Sequence, residues 1–169
     1  MTDLDTIRAQ KDNFFSTHPQ SPLTPEQKQV FKGLSYFAED PDLRLEVSVD
    51  KFPEQIQFEM QTSTGQTQTY TRYGSFKLNL GGQLAELTIF ASPHGFFLPF
   101  VDGLAGQETY PAGRYLDPEH LAGDYFLVDF NLAYNPYCAY NEMWSCPLTP
   151  PENRLNLPIR AGERLFGKE

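Results

Sequence analysis

Cationic side chains are scarce in this 169-residue chain. Thirteen Lys and Arg stand against 22 Asp and Glu, a formal net charge of −9. That balance argues against a nucleic-acid partner, because phosphate binding needs clustered Lys and Arg. It also argues against anionic membrane surfaces. Long apolar runs are missing: no stretch approaches the ~18 residues that a spanning helix needs. The N-terminus, MTDLDTIRAQKDNFF, has no basic segment leading into an apolar run, so no signal peptide is read and a cytoplasmic protein is expected.

Sulfur and imidazole are also sparse. Two cysteines, Cys138 and Cys146, are too few for a disulfide framework and are expected as free thiols in a reducing compartment. Their spacing is wider than zinc motifs use, and the nearest histidines in sequence are His94 and His120, so no metal site is expected. With three scattered histidines, a His-centred active site is not expected. A Gly-x-Ser-x-Gly elbow, a P-loop, a dinucleotide fingerprint and a His-Glu-x-x-His pair are all absent, and no cofactor is expected.

What remains is a chain with 40% hydrophobic and 14% aromatic residues, suited to a packed core. A single domain over residues 1–169 is expected. Thr2 reads as the cap of a first helix, with Asp3 and Asp5 near its N-terminal dipole. Leu4, Ile7 and Phe14 or Phe15 form its apolar stripe. Thr24, Pro25 and Gln27 form a capping box for a second, short helix. Val30, Phe31 and Leu34 would face the core, and Gly33 would end the helix.

Strands follow. Leu45, Val47 and Val49 alternate with polar residues over 44–50, as do Ile56, Phe58 and Met60 over 55–60. Asp50–Pro53 reads as the turn between them. A long strand over 66–80 slips its parity near Gly74, where a bulge is expected. Gly81-Gly82 makes a hairpin, and further strands are read over 84–91, 96–101, 113–116 and 125–130. A last edge strand is read over 155–159. The expected fold is all-β, or β-rich α+β. It would be a single-domain antiparallel barrel or bent sandwich with two short N-terminal helices and an irregular C-terminal lid over 131–152.

The chemistry concentrates in residues 100–163. Between Lys77 and Arg154 the lone cation is Arg114, set among nine acids. Its fork can hold a carboxylate or phosphate of a ligand, or be tied into a structural pair, with Asp129 as the obvious partner. Asp102 and Glu108 could form a carboxylate pair for acid–base work. Alternatively, Asp102 makes an Asx-turn and Glu108 is solvated. Asp129-Phe130-Asn131 resembles only a fragment of a calcium loop. Tyr134, Tyr137 and Tyr140 recur every third residue and fit a 3₁₀-like turn or an extended coil. They either wall a pocket or pack as a lid.

Longer strings carry a resemblance. Asp102…Gly106-Gln107-Glu108-Thr109-Tyr110…Gly113-Arg114-Tyr115-Leu116, Asp129-Phe130-Asn131…Ala133-Tyr134-Asn135-Pro136, Cys138-Ala139-Tyr140…Cys146-Pro147, Asn153-Arg154-Leu155 and Ala161-Gly162-Glu163 are similar to the DUF1684 family. So are Arg8…Lys11-Asp12…Phe14-Phe15, Ser21-Pro22-Leu23 and residues 31–37. The resemblance implies one conserved domain of uncharacterised bacterial and archaeal proteins, with a shared site in 100–163. Leu104 departs from the pattern, standing where a hydroxyl residue is expected.

The reading that follows is a binding protein for a small polar or anionic ligand. Its pocket would be built on Arg114, Tyr110, Asp129, Asn131, Tyr134, Asn135 and Tyr140. The alternative is a hydrolase with Asp102 or Glu108 as general base. A third is a structural network without a ligand.

Overall fold

The computed structural model describes residues 3–167; the expected cap Thr2 lies outside them. Helix α1 spans Asp3–Thr17 and buries Phe15. Helix α2 spans Pro25–Val30, and its capping box forms as read. Thr24 Oγ1 accepts from Gln27 N at 3.2 Å, and Gln27 Oε1 accepts from Thr24 N at 2.8 Å. The helix stops before Gly33, with Phe31 as its C-cap. Val30 is therefore not a core residue but is 75% exposed. Phe31 and Leu34 pack beside Phe15, Leu23 and Tyr140.

Among the described residues nine strands follow: β1 Arg44–Ser48, β2 Asp50–Lys51, β3 Gln57–Gln61, β4 Thr67–Leu80, β5 Gln83–Ser92, β6 Gly95–Phe100, β7 Arg114–Leu116, β8 Glu119–His120 and β9 Tyr125–Asp129. The expected bulge in β4 falls between Arg72 and Gly74. Asp50-Lys51, expected as a turn, instead pairs with Ser75 and Gly74. Residues 155–159 form no strand; they belong to an irregular strap held by scattered bonds. Pro158 has no N–H to give a ladder.

All the strand pairs are antiparallel. One sheet has the order β1-β9-β8 and the other β2-β4-β5-β6-β7, with β3 on β4. Neither closes on itself, so the expected barrel is not formed. The main apolar core draws from both sheets. Val47, Phe126 and Val128 of one meet Phe76, Leu87, Ile89, Leu98 and Phe100 of the other. Period-2 alternation is what delivers one apolar face per strand. No helix among the described residues is long and apolar enough to cross a membrane.

Two connections shape the candidate region. The segment after β9 winds through 3₁₀ turns at Phe130–Leu132 and Tyr137–Ala139. The chain from Asn153 to Glu163 then runs as a strap alongside β6. Val101 N donates to Asn153 O at 3.1 Å, and Leu155 N donates to Val101 O at 2.7 Å.

Candidate functional site

Arg114 opens β7 opposite Phe100 and has no exposed surface. Gly113 before it has φ +101, and a Cβ there would lie 2.5 Å from Phe100 O. Glycine thus lets the chain pass close to β6 and send the arginine inward. One guanidinium nitrogen, Nη1, donates to the carbonyls of Ala161 and Glu163, and Nη2 donates to Ile159 O at 3.0 Å. Its cation lies 5.1 Å from the Phe100 ring centroid. Burial lowers its pKa to about 10, opposed by Asp102 and Glu163, which leaves it charged at neutral pH.

The Asp102 carboxylate closes this network. It accepts from Thr109 Oγ1 at 2.7 Å and Ile159 N at 2.8 Å, and lies 3.8 Å from Arg114 Nη2. The Arg114 anchor expected at a pocket mouth is therefore corrected. Its terminal nitrogens are taken by the strap, and the side chain is fully enclosed. Asp129 is not its partner either. It lies in the other sheet, 3.8 Å from Arg44 Nε, and its Oδ1 accepts from Asn131 N and Nδ2. Nor do the expected acid–base carboxylates make a pair. Asp102 is enclosed, while Glu108 sits between Arg160 and Arg164 at 3.5 and 3.6 Å.

A second buried acid organises the lid. Glu163, 2% exposed, accepts from Lys11 Nζ, from Asn135 N at 3.0 Å and from the Tyr140 hydroxyl at 2.6 Å. Gly162 beside it has φ +80, and a Cβ there would lie 2.7 Å from Ala133 O. Tyr140 also packs edge-on against Phe15 of α1, 5.0 Å between centroids. Helix, lid and strap thus meet at one carboxylate. Asn131 plays a similar bracing role, holding Asp40 through its N–H at 2.8 Å and its carbonyl at 2.9 Å.

The tyrosines divide. Tyr140 is architecture, and Tyr110 bonds Cys138 Sγ at 3.6 Å. Tyr134 and Tyr137 line an open cleft of about 400 Å³ with Tyr70, Phe97, Tyr115 and Trp144. The rings form a continuous wall. Tyr70 stacks on Phe97 at 5.2 Å, Phe97 meets Tyr115 at 4.8 Å, and Tyr115 meets Tyr134 at 5.7 Å. Paired backbone bonds between Tyr115 and Tyr134, 2.8 and 3.0 Å, pin the lid to β7. Gln68, His94, Asp117, Asn135 and Ser145 supply polar groups. Asn135 Oδ1 is a buried acceptor without a partner.

Asp117 and Tyr134 also line a second hollow of about 310 Å³ beneath α1. Its cations are already engaged. Arg8 donates to Phe37 O at 2.9 Å, and Lys11 is bonded to Glu163.

The Asp117 carboxylate accepts from the Tyr134 hydroxyl at 2.9 Å. Desolvation raises its pKa, with that hydrogen bond pulling the other way. A carboxyl with a raised folded pKa adds stability below the ordinary carboxylate range and loses it as pH rises through the folded pKa. Asp117→Asn can still accept from Tyr134. It should be slightly more stable than wild type at neutral pH, the residue being exposed, and equal to it in acid. Urea denaturation at both pH values checks this. A loss of stability at neutral pH would contradict it.

The family described as "Protein of unknown function (DUF1684)" matches residues 29–164. The protein belongs to the DUF1684 family. No curated protein matches it. Among solved structures it is similar to an uncharacterised protein of Haloarcula marismortui, determined by solution NMR. The two are 40% identical with a TM-score of 0.72, over 95% of this chain and 91% of that one.

Within this DUF1684 domain, sequence reasoning missed Asn153. Its buried side chain bonds Thr88 N, Thr88 O and Pro99 O, all at 2.8 Å. It also missed Asp117, Tyr70, Phe97 and Trp144. The aromatics of β4 and β6 look like ordinary strand alternation until the lid is folded over them.

Proposed function

We propose that this DUF1684 protein is a single-domain binding protein, its sheets packed as a bent sandwich. Its ligand is a small polar molecule with a flat or ring-shaped body, held in the aromatic cleft over β6 and β7. The observation that carries the reading is the cleft itself. Seven aromatic side chains, Phe96 among them, converge on about 400 Å³ with a few polar groups between them. Apolar walls with sparse polar groups are what small-molecule sites use for affinity and orientation. The anionic head expected around Arg114 is not part of this reading, because among the described residues that line the cleft His94 alone can carry positive charge. The Asp117 carboxylate favours a ligand donor or cation instead.

Trp144, the only tryptophan, lines the cleft and reports on it directly. A library of ring-bearing polar fragments should contain members that change Trp144 fluorescence saturably, with Kd below about 1 mM. Tyr134→Ala should weaken them about tenfold, the effect of losing one aromatic wall. Binding indifferent to both Tyr134→Ala and Phe97→Ala, in variants that melt like wild type, would overturn the proposal. So would a library with no binder.

A further inference from the structure

Cys138 and Cys146 sit at the edge of this region with no role in the binding reading. Cys138 lies in the 3₁₀ turn Tyr137–Ala139 and is half-buried, whereas Cys146 is buried. The Cys146 sulfur accepts from the Cys138 backbone N–H at 3.2 Å, which places it beside the Cys138 side chain. The bond from its own backbone thus sets Cys138 directly beside the Cys146 sulfur. On its other side the Cys138 sulfur meets the Tyr110 hydroxyl at 3.6 Å.

The backbone around Cys146 is held in place. Cys146 N donates to Ser63 Oγ at 3.1 Å, and Ser63 N donates to Cys146 O at 2.9 Å. Cys138 is thus half-buried with a hydroxyl beside its sulfur, and Cys146 is buried and fixed next to it. The neighbouring Cys146 and Tyr110 groups lower the Cys138 thiol against the opposing effect of burial, and the Cys146 thiol is raised in turn. The first proton to leave belongs to the pair, and Cys138 is the less buried of the two, the one a small disulfide meets first.

We propose that Cys138 and Cys146 are a thiol–disulfide exchange site for low-molecular-weight disulfides, with Cys138 as attacking thiol and Cys146 as resolving thiol. The Cys138 thiolate, its proton given to solvent, attacks one sulfur of the small disulfide. The S–S bond breaks, and the first small thiolate leaves and is protonated. Cys146 then gives its proton to solvent and attacks the Cys138 sulfur, expelling the second small thiolate. The balance is two protein thiols oxidised to one disulfide and one small disulfide reduced to two thiols. Two adjacent thiols, one open and one enclosed, are what this order of events requires.

Oxidised glutathione and the reduced full-length protein test the site. Intact-mass spectrometry should show wild type losing two hydrogens and retaining no glutathione, with both thiols recovered by dithiothreitol. Cys146→Ser should stop at one glutathione on Cys138. Cys138→Ser should react roughly tenfold more slowly, as should wild type unfolded in urea, since both lack the activated thiol. Stable glutathione adducts on wild type, disulfide-linked dimers, or unfolded protein reacting as fast as folded would each overturn the proposal. The wild-type arms need no variant to fold.

Discussion

Arg114→Ala is expected to lose about 3–5 kcal/mol of folding stability, the range for breaking a buried charged pair. The loss has three sources. The strap carbonyls of Ile159, Ala161 and Glu163 lose their donors. Asp102 is left as a buried carboxylate without its cation. A cavity opens against Phe100, which the guanidinium covers. Arg114→Met separates these effects. It restores volume but no donor, so it should recover only a minor part of the loss. Urea denaturation with the slope compared across variants measures both. If Arg114→Met were as stable as wild type, the arginine would be packing, not a bonded brace. Neither change should alter ligand binding in whatever fraction remains folded.

The second large effect is at Glu163. Its carboxylate is the meeting point of Lys11 from α1, Asn135 and Tyr140 from the lid, and the strap. Glu163→Ala should cost a similar ~3–5 kcal/mol, because it leaves a half-buried ammonium and two buried donors without acceptors. Glu163→Gln keeps one oxygen for Asn135 and Tyr140 but turns an amide donor toward Lys11. Its cost should be about 1–3 kcal/mol. Denaturation followed at Trp144 and by far-UV circular dichroism gives the two values. Equal losses for Ala and Gln would mean that the Lys11 pair dominates.

Local features of the fold were readable from sequence. The Thr24–Gln27 capping box and the β4 bulge at Gly74 depend on neighbours within a few residues, and both formed where expected. The alternation of β1 and β3 was also readable, although Ile56 falls just before β3 and is 51% exposed. The candidate site was less legible for a physical reason. Arg114 is held mainly by backbone carbonyls 45–49 positions away, and a carbonyl has no residue identity to read. Asp129 looked like its partner because a carboxylate on that strand face needs a cation and Arg114 is the lone one between Lys77 and Arg154. Those strands are in different sheets, and β9 pairs with β1, which gives Asp129 to Arg44. The cleft needed four distant segments, 68–70, 92–97, 115–117 and 134–147, and no single stretch carries its signature. The concentration of chemistry in 100–163 was real, but much of it builds the strap and lid that shape the cleft.

Arg114 is an internal brace, and the ligand site proposed for this DUF1684 protein is the aromatic cleft. Backbone amide NMR shifts of ¹⁵N-labelled protein, titrated with the tightest-binding ring-bearing fragment, test it most directly. Shifts are expected to group at Tyr70, Phe97, Asp117, Trp144 and Ser145, with Asp102, Arg114 and residues 159–163 unmoved. Shifts centred on Arg114 and the strap, with the cleft silent, would contradict it.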